Sequence, residues 1–208
     1  RYLMYMLSIL PNVQVRLGEE ATVEKILSEN PDVVIIATGS TVTTSRPGFY
    51  STIDVIDGKV EAKSVLVIDN DSTTEGASIV ELFLKQGAQV HWVTPAFFNG
   101  QNITAPILLD YFKRFAGNAN LTTHSMEVPT EIKDGKVTLF NIYMGTQEEI
   151  DNVDAVVEVG IKKANNELYD ALNGKVQQLF IIGDAAAPRD IASVLEDAVG
   201  LSKLVVGA

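Results

Sequence analysis

Two strand ends carry the residue types that hold ligands. "LFIIGDAAAPRD", from Leu179 to Asp190, runs four apolar residues into Gly183-Asp184, then three alanines and Pro188-Arg189. "DVVIIATGS", from Asp32 to Ser40, runs a similar strand into Ala37-Thr38-Gly39. Small residues at such ends let a ligand or a neighbouring backbone approach closely. A carboxylate at Asp184 can accept hydrogen bonds from sugar or polyol hydroxyls. The helix that begins near Pro188 or Asp190 offers unpaired N–H groups and partial positive charge to a phosphate. We therefore expect Ala37, Thr38, Gly39, Gly183, Asp184, Ala185 and Arg189 to line a cofactor site, with no catalytic residue among them. The competing reading is structural: Asp184 and Asp190 cap the helix. Arg189 has two candidate partners, a phosphate and Asp190.

The elements that position these ends follow from periodicity. A helix is expected over residues 2–10, with Leu3, Met6, Leu7 and Leu10 on one face. "VQVRLG" alternates like a short strand, "ATVEKILSEN" reads as a helix stopped by Asn30-Pro31, and "DVVIIATGS" as a strand buried on both faces. Residues 41–63 read as a crossover. From Val65, "VLVID", "TEGASIVELFLKQG" and "QVHWVTP" form a strand–helix–strand unit of mononucleotide-binding length. "ITAPILLDYFKRFAG" is helical, and Lys133-Asp134-Gly135 signals a hairpin between two alternating strands. "DAVVEVG" is a strand, "NNELYDAL" a helix, and "DIASVLEDAVGLSKLVVG" a closing helix. The fold class is α/β and Rossmann-like, with two nested nucleotide-type domains and a small antiparallel meander. Residues 1–40 and 160–208 form one domain, and residues 64–159 the inserted one.

Composition narrows the chemistry. The 208 residues carry 27 acidic against 16 basic side chains, a net charge of −11. That disfavours nucleic-acid phosphates and anionic membrane surfaces, which need clustered Lys and Arg. No cysteine is present, so disulfides, thiolate nucleophiles and Cys-bound zinc or iron–sulfur clusters are excluded from this chain. The two histidines, His91 and His124, lie far apart in sequence, and no metal site is expected. "VHWVT" puts His91 and Trp92 on opposite faces of a strand, one buried and one exposed. The chain begins at Arg1 in a helical pattern and reads as cut from something longer. A cytoplasmic location is expected.

The order of the motifs resembles the two-dinucleotide-domain flavoproteins of the glutathione reductase type, where an "ATG" strand end precedes an inserted NAD(P) domain and a "GD" strand end follows it. The similarity is closer to the trimethylamine dehydrogenase, histamine dehydrogenase and 2,4-dienoyl-CoA reductase family of old yellow enzyme-related multidomain flavoproteins. It is carried by "DVVIIATGS", "VLVIDNDSTTEGASIVELFLKQGAQVHWVTP", "TLFNIYMG" and "LFIIGDAAAPRDIAS", and runs over nearly all of the chain. The resemblance implies a cofactor-contacting role for Asp184, with FAD or ADP as the ligand. It also implies an upstream flavin barrel domain of the same protein, carrying FMN and an iron–sulfur cluster. A glycine-rich phosphate loop would likewise lie upstream. Electron-transfer proteins and further copies of the chain are the other candidate partners.

The inserted domain departs from that pattern. Its strand-to-helix turn reads "DNDSTTEG", with Asp69 and Asp71 where phosphate-binding glycines belong and Gly76 in place of the third. A carboxylate about 6 Å from a pyrophosphate charge costs roughly 3 kcal/mol at an effective dielectric of 20, and two cost more than about a hundredfold in affinity. The next strand ends in Thr94-Pro95 rather than in an acid for a ribose hydroxyl. NAD(P) is not expected there; a metal or an amine on Asp69 and Asp71 is the alternative. The overall expectation is the nucleotide-binding portion of a flavin-dependent oxidoreductase of amine or enoyl substrates. Its rival is a scaffold or electron-transfer docking domain with a vestigial site.

Overall fold

The computed structural model describes residues 2–206. In chain order the elements are α1 (Tyr2–Ser8), α2 (Val23–Ser28), β1 (Val33–Ile36), β2 (Ser40–Val42), β3 (Tyr50–Ser51), α3 (Thr52–Ile56), β4 (Ser64–Asp69), α4 (Thr74–Lys85), β5 (Gln89–Thr94) and α5 (Ala105–Phe115). They continue as β6 (Leu121–Ser125), β7 (Glu127–Lys133), β8 (Lys136–Asn141), β9 (Gln147–Ile150), β10 (Ala155–Val159), β11 (Lys162–Ala164), α6 (Glu167–Leu172), β12 (Gln178–Ile181) and α7 (Ile191–Val206). A 3-10 turn at Gly183–Ala185 follows β12. Among the described residues, no helix is long and apolar enough to cross a membrane.

The chain divides into two compact units. Unit 1 comprises residues 1–39 and 164–208, and unit 2 comprises residues 40–163. Residues 41–63, read from sequence as a crossover, lie in unit 2, where β3 pairs with β10. β2 and β11, at the two chain crossings, pair with each other.

Unit 2 is built on a five-stranded sheet of order β3-β10-β4-β5-β6, with parallel pairing throughout. Parallel strands need crossovers, and helices such as α3 and α4 supply them. Alternation then decides which layer each residue enters. Val65, Val67, Val90, Trp92 and Val157 face the helical side with Phe83 of α4 and Phe115 of α5. Leu66, Ile68, Val93 and Val156 face the meander, meeting Val137, Leu139 and Ile150. The meander β7-β8-β9 is antiparallel, and Lys133 pairs with Lys136 across the expected turn. Asp134 (φ 52°) and Gly135 (φ 76°) both adopt the left-handed backbone that such a two-residue turn demands. The unit is α/β and Rossmann-like.

Unit 1 rests on one parallel pair, β1 with β12, in which Val33 to Ile36 align with Gln178 to Ile181. Val34 and Ile36 are buried with Leu172 and Ala185, and Val23, Ile26, Leu168 and Tyr169 of α2 and α6 pack against them. Ile35, between them, points to the other face and is 46% exposed. The expected strand "VQVRLG" does not form: Val13, Val15 and Leu17 are exposed and residues 13–17 pair with no strand. Alternation sets which side chains share a face, but a strand exists only where a neighbour takes up its backbone groups.

Candidate functional site

Parallel pairing of β1 with β12 brings the two expected strand ends side by side. Beyond them lies an open cleft of about 360 Å³, lined by Ala37, Gly39, Ile182, Gly183, Asp184 and Arg189 together with Ile191, Val194 and Ala198. Five of the seven expected cofactor-lining residues thus line one cleft. The other two do not. Thr38 turns aside: its hydroxyl donates to the backbone oxygen of Asn165, while Asn165 Nδ2 donates to Thr38 O at 3.2 Å. Ala185 is fully buried in the small core under β1 and β12.

The loop after β12 is fixed by carboxylates. Asp184 Oδ1 accepts from the backbone N–H of Arg189 at 3.1 Å, closing the alanine–proline turn. Asp197, on the second turn of α7, accepts from Gly183 N at 3.0 Å and from the Arg189 guanidinium. Arg189 therefore pairs with Asp197 rather than with Asp190. Asp197 escaped the sequence reading because it sits 14 residues past Gly183 on a helix face. The exposed Asp190 is the helix cap. Its Oδ1 accepts from Ser193 N at 2.9 Å, and that backbone hydrogen bond holds its carboxyl below the usual range. Gly183 has φ +62°, which favours glycine, and a Cβ there would stand 3.1 Å from Val194 Cγ1, so that a side chain would also need Val194 to give way. Gly39 also has positive φ, +74°, but faces open space.

These residues suit a nucleotide in part. A carboxylate has about four acceptor sites, so Asp184 can serve ligand hydroxyls besides the Arg189 amide. Gly39 and Gly183 leave the floor of the cleft low. Ile191 and Val194 give it an apolar wall.

In unit 2 the corresponding strand end, after β4, is filled by the protein itself. Asp69 is fully buried. Its Oδ1 accepts from Ser72 N at 2.8 Å and its Oδ2 from Trp92 Nε1 at 3.0 Å. Burial pushes its carboxyl up to about 6, against the pull of those two donors. Gly76, in the first turn of α4, lies directly against that carboxylate: a Cβ there would be 2.2 Å from Asp69 Oδ2. The anion at the start of the helix is thus a side chain, where nucleotide-binding units of this type place a phosphate. Asp71 is also raised by burial, and its carboxylate lies against Gly160. Ser72 bonds to Gly100 N and Asn102 N, which ties the loop down.

The histidines depart from the sequence reading. Of the two side chains read as one buried and one exposed, Trp92 is fully buried, whereas His91 is half-buried rather than exposed, and its Nδ1 lies 3.1 Å from His124 Nε2. His124, Glu127 and Glu148 form a group of metal-ligating type, whereas no metal site was expected. Sequence separation hid Glu148, which the antiparallel pairing of β7, β8 and β9 brings back beside His124 and Glu127.

No family model matches the chain. The fold is α/β and Rossmann-like, and individual proteins match it. The N,N-dimethylglycine/sarcosine dehydrogenase of Chromohalobacter salexigens is 25% identical over 92% of this chain and 34% of its own length. The dimethylamine dehydrogenase of Hyphomicrobium sp. (strain x) is 25% identical over 95% of this chain and 33% of its own. The structure of histamine dehydrogenase from Rhizobium sp. 4-9 superposes with a TM-score of 0.83 at 24% identity, covering 94% of this chain and 34% of that one. The chain spans about a third of the length of the curated relatives it matches. Over nearly all its length it is similar to a portion of each of these dehydrogenases.

Proposed function

We propose that this chain is the nucleotide-holding portion of a flavin-dependent oxidoreductase of amine or enoyl substrates, with the ADP moiety of FAD, or ADP itself, in the cleft beyond β1 and β12. The reading rests on one observation above the rest: the Ala37–Gly39 and Gly183–Asp184 strand ends lie side by side on one cleft, at the carboxyl edge of a parallel pair. Asp184 accepts from sugar or polyol hydroxyls, Gly183 lets the ligand approach, and Arg189 at the mouth meets the phosphates. A bound flavin supplies the electron transfer; the residues of this chain orient the nucleotide and make or break no bond of the substrate.

FMN and an iron–sulfur cluster belong, in this reading, to a barrel domain of the same protein, and that domain passes electrons to a separate carrier. Parallel pairs are ordinarily covered on both faces. Exposed Ile35, and the exposed Ile191, Leu195 and Val199 spaced four residues apart along α7, therefore suit burial by the rest of such a protein. Unit 2 holds no NAD(P), because Asp69 and Asp71 take the phosphate position. A cytoplasmic setting fits the acidic, cysteine-free composition.

The test is the visible spectrum of the intact protein, with its released nucleotides separated and identified. Flavin absorption with FAD or ADP released, and loss of that nucleotide in a folded Asp184→Ala variant, supports the reading. A protein without adenine nucleotide favours the second reading, a scaffold or electron-transfer docking domain. What speaks for that one is Asp69: unit 2 keeps its core while its phosphate position is filled from within.

A further inference from the structure

On the meander side of unit 2, three elements converge on the imidazole of His124. His124 on β6 is 8% exposed, and its Nδ1 faces two glutamates. Glu127 Oε2, on β7, stands 3.5 Å away, and Glu148, on β9, is in direct contact. One ligand atom from each of the three lies within 4.8 Å of the others. On its far side, His124 Nε2 is 3.1 Å from His91 Nδ1 on β5.

The proton inventory separates the two ways such a group can be satisfied. His91 Nδ1 lies within hydrogen-bond distance of His124 Nε2, and a neutral His91 accepts there. His124 then donates from Nε2, and Nδ1 is the atom turned to the carboxylates. If Nδ1 carries a proton, its single N–H serves Glu148. Glu127 Oε2 is then left buried with no hydrogen-bond donor, which is how it stands in the structure. A buried carboxylate oxygen without a donor is costly. A divalent cation satisfies Nδ1 and both carboxylates at once, and the His91 acceptor is the kind of outer partner that orients a histidine ligand.

We infer that His124 Nδ1, Glu127 and Glu148 form a binding site for a divalent cation of the zinc class, with His91 orienting His124. One imidazole nitrogen and two carboxylates suit zinc, with a fourth position open to water. Tetrahedral zinc with bonds of about 2.0 Å spaces its ligand atoms by about 3.3 Å, so the group must tighten. Glu148, whose side chain is 48% exposed, is the member able to move. Bound metal clips β7 and β9 of the meander to β6, the edge strand of the parallel sheet. The site is independent of the nucleotide cleft.

The test uses the metal-stripped intact protein, with zinc chloride as the probe, followed by calorimetric titration and thermal unfolding. We expect one zinc per chain to disappear between wild type and Glu127→Gln, and about a 10 °C rise in the melting temperature of unit 2 at a hundredfold excess of zinc over Kd. Glu148→Gln, at a half-exposed position that leaves folding intact, should weaken binding at least about tenfold, and His91→Gln about tenfold through orientation alone. Cobalt substitution should give a visible d–d spectrum that Glu148→Gln alters. Zinc binding undiminished in both glutamate variants, or a wild-type melting temperature indifferent to zinc, overturns the site and leaves His124 Nδ1 as a hydrogen-bond partner of Glu148 alone.

Discussion

The carboxylate of Asp69 lies against Gly76, so close that a methyl group on Gly76 would come within 2.2 Å of Asp69 Oδ2. Asp69 cannot withdraw. It is fully buried and held from two sides by Ser72 N and Trp92 Nε1. Gly76→Ala is therefore an overpacking change, expected to cost about 3 kcal/mol. In an Asp69→Ala background the three nearest obstructing atoms are gone, and the same change should cost at least about 1 kcal/mol less, by the usual range of coupling between residues in contact. Urea unfolding of the four members of this cycle measures the coupling. Additive effects would mean that the contact is relieved by a shift of α4.

The same carboxylate makes unit 2 sensitive to pH. Asp69 is raised from 3.8 to about 6 by burial, so the folded protein holds this proton more tightly than the unfolded chain does. Stability from this group is therefore fully present below pH 4 and is lost as pH rises from about 4 to 6. The loss amounts to about 3 kcal/mol at 1.36 kcal/mol per pH unit. Asp69→Asn cannot ionise and should remove this slope between pH 4 and 6. Melting temperatures of the two proteins across that range check it, and parallel curves would show that Asp69 does not titrate there.

How much of this was legible in advance depends on the range of the interaction. The Lys133-Asp134-Gly135 hairpin needs only local backbone geometry, and it is where the sequence puts it. The continuous apolar run Val65 to Ile68 forms the expected strand, buried on both sides, whereas "DVVIIATGS", read as a strand buried on both faces, leaves Ile35 46% exposed. "VQVRLG" alternates apolar and polar residues and forms no strand, because pairing depends on a neighbour that the pattern does not contain. The two strand ends at the cleft were visible as motifs. The turning of Thr38 toward Asn165, 127 residues away, was not, since it depends on how the chain returns, and the capture of Arg189 by Asp197, eight residues on, depends on the turn that leads into α7. The pairing of His91 with His124 required the β5–β6 register, which no spacing within one segment encodes.

Glycines at the cleft divide by what surrounds them. Gly183 combines φ +62° with Val194 Cγ1 at 3.1 Å from a built Cβ, whereas Gly39 combines φ +74° with open space. Gly39→Ala should cost only the backbone strain, about 1 kcal/mol. Gly183→Ala adds a steric clash with α7 and should cost about 2–3 kcal/mol. Thermal unfolding of both variants checks the order. Equal costs would mean that Val194 rotates away freely.

Asp197 and Arg189 form an ion pair whose two members are not equivalent. Arg189 is 41% exposed and its guanidinium ends at Asp197 and at Ala187 O, so removing it forfeits little more than a surface pair. Arg189→Met should cost about 0.5 kcal/mol. Asp197 is less exposed and also accepts from Gly183 N at 3.0 Å, at the point where the backbone has positive φ. Asp197→Ala leaves that N–H without its acceptor and releases Arg189 as well, an expected loss of about 2 kcal/mol. The two variants also separate roles at the cleft. If Arg189 meets a ligand phosphate, Arg189→Met weakens binding of an adenine nucleotide while hardly touching the melting temperature. If Arg189 only braces the loop, nucleotide affinity falls in step with stability, and Asp197→Ala shows the larger loss of both.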